Sequence, residues 1–371
     1  MKYSIIVPVF NRPDEVDELL QSLAAQSYKD FEVIIVEDGS ENTCKDVCDK
    51  FADILALHYY IKANSGPGQS RNYGAERAKG EWLIILDSDV VLPREYMRAV
   101  EHYLSSSEGK EVAAWGGPDA SHPSFTPVQK AISYSMTSFF TTGGIRGGGS
   151  SKNKPKRALD KFYPRSFNMG IRRDVYLQLG GFSKMRFGED IDFSYRIVEA
   201  GHRAQLIPEA WVWHKRRTDF RKFFRQVYNS GIARINLEKR HPGTMKLVHM
   251  LPMVFTLGVV FLSLLALIGI TMALAGLYSA YCGPSGCNMG LIVTLLGGVV
   301  VLTALSPLLL YSLLLLVDSA IRNRSLSVGL LSVPAAFVQL MGYGFGFLEA
   351  WWKRMVLRQD EFTAFEKNFY K

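Results

Sequence analysis

This chain of 371 residues contains only four cysteines, too few for a scaffold built on disulfides. Cys44 and Cys48 stand one helical turn apart and read as reduced packing residues. Cys282 and Cys287 fall in a connector that reads as external, where an oxidising compartment would let them pair. No G-x-G-x-x-G follows the first apolar run, which disfavours a dinucleotide cofactor. No RNA- or DNA-binding motif accompanies the net charge of +8, so nucleic acid is not the expected partner. A cleavable leader is not expected either, because "MKYSIIVPVFNRPDE" has a short apolar run broken by Pro8, Asn11 and Arg12.

The absence that organises the chain is one of charge. After Lys246 no Lys or Arg occurs until Arg322, and Asp318 is the only carboxylate in that interval. A membrane helix needs about 20 apolar residues, and the interval has room for two, placed at about Pro252 to Ala280 and Leu291 to Val317. The connector "YCGPSGCNMG" carries no basic residue, whereas the stretch from Arg203 to Met250 holds eleven Lys/Arg against three acids. By the positive-inside rule, the N-terminal part and the end of the second helix then lie in the cytoplasm, at an inner or plasma membrane. A third apolar stretch, Ser325 to Ala350, is interrupted by Pro334 and by Gly342, Gly344 and Gly346. It is expected as a third membrane helix or as a re-entrant segment, since a full crossing would carry the basic tail after Trp352 to the wrong side.

Ahead of the membrane region, apolar strands alternate with amphipathic helices. "YSIIVPVFNR" is strand then loop, "PDEVDELLQSLAAQS" is helix, and "FEVIIVEDGS" is again strand, ending in Glu37 and Asp38. This order predicts an α/β fold with a mostly parallel, Rossmann-like sheet and a pocket at the carboxyl ends of its strands. "EWLIILDSDVVLP" ends such a strand with Asp87, Ser88 and Asp89. Side chains two residues apart on extended chain project to one side, so two carboxylates would repel unless a cation joined them. Mg²⁺ or Mn²⁺ with substrate phosphates would explain the pair; turn or cap roles before Pro93 are the alternative. Glu189, Asp190 and Asp192 open a helix, where carboxylates suit the positive end. His214, ending "AWVWHK", reads as a metal ligand or as an interface histidine.

The stretches "SIIVPVFNR", "VIIVEDGS", "GPGQSRNYGAERAKGEWLIILDSDV", "FNMGIRRDVYLQLGGF", "GEDIDFSYR" and "VWHK" occur in an order that resembles a family 2 glycosyltransferase of the GT-A fold, over about Lys2 to Arg240. The resemblance implies a nucleotide-binding role for Pro8, Phe10, Asn11, Glu37, Asp38, Arg71, Asp87 and Ser88, with Asp38 accepting from a uracil. It implies a sugar-pocket segment at Asn168 and Met169, a divalent ion (Mg²⁺ or Mn²⁺) on Asp89 and His214, and Asp190 as catalytic base with Glu189 beside it. The expected reaction is inverting transfer from a nucleotide-diphosphate sugar, with UDP as the expected nucleotide, to a lipid-linked or glycan acceptor.

The expected organisation is a catalytic domain at 1–240, a basic interfacial segment at 218–246 in contact with membrane lipids, a membrane region at 251–350 and a tail at 351–371. Processive synthases of the family carry Q-x-x-R-W and more membrane helices. "RQVYNSG" offers Gln226 without that Arg or Trp, which leaves processive synthesis as the alternative, beside an inactive membrane scaffold that keeps the fold.

Overall fold

The structure, a computed structural model, describes residues 1–122, 124–142, 162–282 and 288–365. In chain order the first half contains β1 (Tyr3–Val9), α1 (Pro13–Ala24), β2 (Phe31–Asp38), α2 (Lys45–Phe51), β3 (Ala56–Lys62), α3 (Pro67–Arg77), β4 (Trp82–Leu86), β5 (Val90–Val91), α4 (Tyr96–Ser105), β6 (Ala114–Gly116) and β7 (Asp119–Ala120). There follow α5 (Pro127–Thr137), α6 (Phe139–Thr142), β8 (Asn168–Arg172), α7 (Arg173–Gln178), α8 (Glu189–Glu199), β9 (Ala204–Leu206), β10 (Val212–His214) and α9 (Phe220–Arg240). The chain then runs through α10 (Leu247–Cys282), α11 (Asn288–Asn323), α12 (Leu326–Trp351) and α13 (Glu361–Ala364).

The main sheet has the order β3-β2-β1-β4-β8-β6-β9. The pairs β3–β2–β1–β4 are parallel, and β8 is antiparallel to both β4 and β6. Two apolar layers hold it. Ile5, Val7, Val33, Ile35, Ile84 and Leu86 pack on one face with α1, α2 and α4. Ile6, Ile34, Val36, Leu83 and Ile85 pack on the other with α3, α7 and α8. Strands β1, β2 and β4 are buried along nearly their whole length because both faces of the sheet are covered. A small sheet, β5-β10-β7, closes the carboxyl edge.

Basic and phenylalanine-rich α9 is a packing helix. Asp219 caps it by accepting from the Lys222 amide at 2.7 Å. Phe223 is fully buried, with Val227, against Ile132 and Met136 of α5; Phe224 remains partly exposed. Further along, Ile232 and Ile235 meet Phe347 and Ala350 of α12.

Three helices are long and apolar enough to cross a membrane. Helices α10 and α11 form an antiparallel hairpin in which Gly276 meets Gly290 and Thr294, and Phe255 meets Tyr311. Helix α12 differs, being far more buried. It starts beside the end of α11, where Ser332 bonds Ser319, and finishes beside the start of α10, where Phe347 packs with Met250 and Met253. Most of the glycine-rich, basic stretch Thr141 to Arg157 and the Cys282–Cys287 pairing lie outside the described residues.

Helices α9 and α12 approach so closely that a Cβ on Gly346 would sit 2.0 Å from the Tyr228 carbonyl oxygen, and one on Gly231 2.2 Å from that of Tyr343. Gly346→Leu is therefore expected to cost about 1–3 kcal/mol through overpacking, visible as a lowered Tm of the detergent-purified protein. An unchanged Tm would contradict this contact.

Candidate active site

The carboxyl edge of the sheet opens into a cleft of about 800 Å³. Strand alternation decides which acids reach it. On β2, Val33 and Ile35 point to the layer under α1 and α2, and Glu37 follows them. It is fully buried and accepts from the Ser40 hydroxyl, the Cys44 amide at 2.9 Å and Tyr59 Oη at 3.1 Å. Asp38 points the other way. Its Oδ1 accepts from Lys62 Nζ (2.6 Å) and the Ser65 amide (2.9 Å), and its Oδ2 from the Gly66 amide (2.8 Å), which fixes the turn into α3. Asp38 lines the cleft and Glu37 does not.

At the end of β4, Asp87, Ser88 and Asp89 all line the cleft. The antiparallel register of β5 with β10 aligns His214 with Val90, and the Lys215 amide donates to the Asp89 carbonyl at 3.0 Å. This register carries His214 across more than a hundred residues of sequence to Asp89, with its Nε2 3.3 Å from Asp89 Oδ1. Phe167 stacks on the imidazole at 5.0 Å and fixes its plane.

Asp87, Asp89 and His214 each offer one ligand atom, all within 4.8 Å of one another. Asp89 Oδ1 is buried without a hydrogen-bond partner, and so is His214 Nδ1. An orphaned carboxylate oxygen beside a second carboxylate and an imidazole fits a divalent ion, with the nitrogen suiting Mn²⁺ better than Mg²⁺. The other Asp89 oxygen accepts from Arg12 Nη1 at 2.5 Å, with Arg217 3.9 Å away. Burial pushes the Asp89 carboxyl up, but His214 and Arg12 outweigh it and hold it below the usual carboxylate range.

Across the cleft, Gly188 takes a left-handed turn at φ 84° and α8 begins with Glu189 and Asp190. Asp190 Oδ2 accepts from Arg165 Nε at 2.8 Å. Arg71, buried on α3, donates to Glu189 Oε1 and to Asp87 Oδ1, each at 2.9 Å, so one guanidinium joins the two walls. Burial raises the Glu189 carboxyl. The same burial acts on Asp190, where Arg165 and Arg71 prevail and the carboxyl is lowered. The two neighbouring carboxyls are thus shifted in opposite directions.

Pro8, Phe10, Asp38, Arg71, Asp87, Ser88, Asp89, Glu189 and Asp190 thus share one cleft. His214 joins it through Asp89. Asn11 has a positive φ of 54° and accepts from the Glu41 and Asn42 amides, shaping the loop beside the cleft. Asn168 and Met169 are inside the fold: Asn168 accepts from Tyr96 Oη (2.7 Å) and donates to the Ala210 carbonyl (2.7 Å), and Met169 is fully buried. Their neighbours Arg165 and Ser166 line the cleft instead. Arg12, Arg165, Arg217 and Phe167 are site residues that sequence reading missed. Arg12 ends the segment "SIIVPVFNR" and Arg165 stands two residues before "FNMGIRRDVYLQLGGF", but neither carries a periodic signal.

This sheet and cleft define a GT-A fold followed by apolar helices. Residues 4–180 match the glycosyl transferase family 2 domain. An uncharacterized glycosyltransferase of Haemophilus influenzae is 43% identical over 198 residues, 53% of this chain and 62% of that protein. The poly(ribitol-phosphate) beta-N-acetylglucosaminyltransferase TarS of Staphylococcus aureus is 36% identical over 108 residues, 28% of this chain and 19% of its own length. The chain thus spans less than two thirds of these relatives. Among solved structures, a mannosyltransferase from Pyrobaculum calidifontis in complex with GDP-Man and Mn²⁺ has the same fold, with a TM-score of 0.52 at 15% identity, covering 95% of this chain and 88% of that one.

Glu37→Ala would leave Ser40, Cys44 and Tyr59 without their acceptor. The expected cost is about 1–3 kcal/mol, read as a lowered Tm with nucleotide binding retained. Weakened nucleotide binding at an unchanged Tm would return Glu37 to the cleft.

Proposed function

We propose that this protein is a membrane-bound, divalent-metal-dependent inverting glycosyltransferase that moves a sugar from a nucleotide-diphosphate sugar, with UDP as the expected nucleotide, to a lipid-linked acceptor. The observation that carries the proposal is the convergence of Asp87, Asp89 and His214 with Asp190 across one cleft. Asp87, Asp89 and His214 would hold Mg²⁺ or Mn²⁺, whose chemistry there is charge neutralisation of a leaving diphosphate. Arg12 and Arg217, next to Asp89, add fixed positive charge on that side. Asp38, beside Pro8 and Phe10, faces the place of the base.

On the opposite side, ionised Asp190 takes the proton of an acceptor hydroxyl. The bond between the anomeric carbon and the diphosphate oxygen breaks as the new bond to the acceptor oxygen forms on the other face of the sugar. The leaving group retains the bonding electron pair. Arg165 positions Asp190, and the α8 N-terminus favours its ionised form. The lowered carboxyl makes Asp190 a weak base, which suffices where proton transfer lags behind cleavage of the donor bond.

A lipid-linked acceptor is favoured over a free glycan by the remainder of the cleft. Beyond Asp190 its wall passes along Arg225 and Asn229 of α9 to Leu251 and Pro252 of α10 and Tyr343 of α12. Such a wall suits a polar head and an apolar tail. The basic flanks of α10 and α11 support a cytoplasmic position for this end of the protein and for the catalytic domain.

Incubation with a panel of nucleotide sugars and Mn²⁺ should release free nucleoside diphosphate, and Asp89→Ala should abolish that release; full turnover in excess chelator would overturn the metal role. Asp190→Asn, which keeps size while removing charge, should lower transfer by roughly 10²- to 10⁴-fold with donor binding retained. Near-normal transfer by this variant would move the base elsewhere.

A further inference from the structure

Helix α12 qualifies as a membrane span by length and composition, yet its partners place both of its ends on one side of the α10–α11 hairpin. Its first half packs on the last turns of α11: Gly329 meets Ala320 and Leu316, Ser332 bonds Ser319, and Phe337 meets Tyr311. Its second half packs on the first turns of α10. Thr256 donates to the Leu340 carbonyl, Gly344 lies against Pro252 and Thr256, and Phe347 meets Met250.

The chain beyond α12 then returns to the catalytic domain. Arg354 Nε donates to Asn236 Oδ1 of α9 at 2.8 Å, and Lys239 of α9 donates to the Arg354 carbonyl at 3.1 Å. A crossing helix would put Arg354 and Asn236 on opposite sides of the bilayer.

The hairpin has length to spare for this arrangement. Its helices are 36 residues each, or about 54 Å, against a hydrocarbon core of about 30 Å. Beyond Thr256, α10 continues for about 26 residues, and before Tyr311, α11 runs for about 23; either alone spans a bilayer. The segments that touch α12 are the excess. The opposite side of α12 is covered by the catalytic domain, through Ala131 and Tyr134 of α5 and the close approach of α9 at Gly231.

The same arrangement brings α6 alongside the hairpin. Tyr311, about 18 Å along α11 from Asn323, donates from its hydroxyl to the Phe140 carbonyl at 3.0 Å. Phe139 and Phe140 are 67% and 39% exposed; Leu309 and Leu310, which precede Tyr311 on α11, are exposed as well, so the pair adds to the apolar surface at that level of the hairpin. Basic Arg221, Lys222 and Arg225 on the same domain suit an anionic headgroup layer.

We propose that the chain crosses the membrane twice, not three times. Helix α12 is an in-plane wedge between the hairpin and the catalytic domain, and the Phe139–Phe140 pair is seated in the acyl chains of the leaflet on the catalytic side. This does not depend on the glycosyl-transfer reading. In the full-length protein, a reporter fused after Lys371 should face the same side as one fused before Met1, and a reporter within Gly283 to Gly286 the opposite side. A C-terminal reporter on the side of that loop would overturn the two-crossing topology. For the lipid contact, Phe139→Cys carrying a nitroxide, with Cys282 and Cys287 replaced by Ser, is reconstituted in vesicles containing anionic phosphatidylglycerol. Collisions with oxygen should exceed those with a water-soluble nickel chelate; the reverse would remove Phe139 from the leaflet.

Discussion

Five carboxylates converge on one edge of one sheet, and the whole site depends on holding that negative charge together. Asp38, Asp87, Asp89, Glu189 and Asp190 all face the same cleft, an arrangement whose mutual repulsion would open the fold if left uncompensated. The chain answers them with four cations. Lys62 takes Asp38, Arg71 takes both Asp87 and Glu189, Arg12 takes Asp89, and Arg165 takes Asp190. The compensation is incomplete at Asp89, where one buried oxygen has no hydrogen-bond donor. That incompleteness gives the site a use for a further cation, and the geometry at Asp87 and His214 says where it would sit.

Because Arg71 touches both walls of the cleft, the two halves of the chemistry are not independent. One wall rests on loops after β1, β2 and β4, while the other rests on the first turn of α8. A single buried guanidinium sets their separation. Helix α9 extends the coupling to the membrane, since one of its faces lines the cleft with Arg225 and Asn229 while another packs on α12. Cleft and apolar helices are linked through packed side chains rather than through a linker.

Much of this was legible in the sequence. The apolar runs within β1 and β2 and the wholly apolar β4 announced a sheet covered on both faces, and the spacing of Asp87 and Asp89 announced that they share a side. The same alternation, applied to β2, separates Glu37 from Asp38, yet adjacent acids in a matching motif masked the difference. Asn168 and Met169 were displaced for a similar reason: the motif marks the strand, and the cleft is lined by residues just before it. The pairing of Arg12 with Asp89 and of Arg165 with Asp190 left no trace, because ion pairs across loops have no period. Helix α12 was hardest. Hydropathy distinguishes lipid from water but not lipid from a protein interior, and most of the apolar surface of α12 is spent on α5, α9 and the hairpin.

The central claim is that Asp87, Asp89 and His214 form a divalent-ion site linked to a nucleoside diphosphate. Electron paramagnetic resonance of Mn²⁺ with the detergent-purified protein tests it without any knowledge of sugar or acceptor. The free-ion signal should fall on addition of protein, fall further when uridine diphosphate is present, and recover in Asp89→Ala. Equal loss of free Mn²⁺ with the wild type and Asp89→Ala, or no loss with the wild type, would contradict the account.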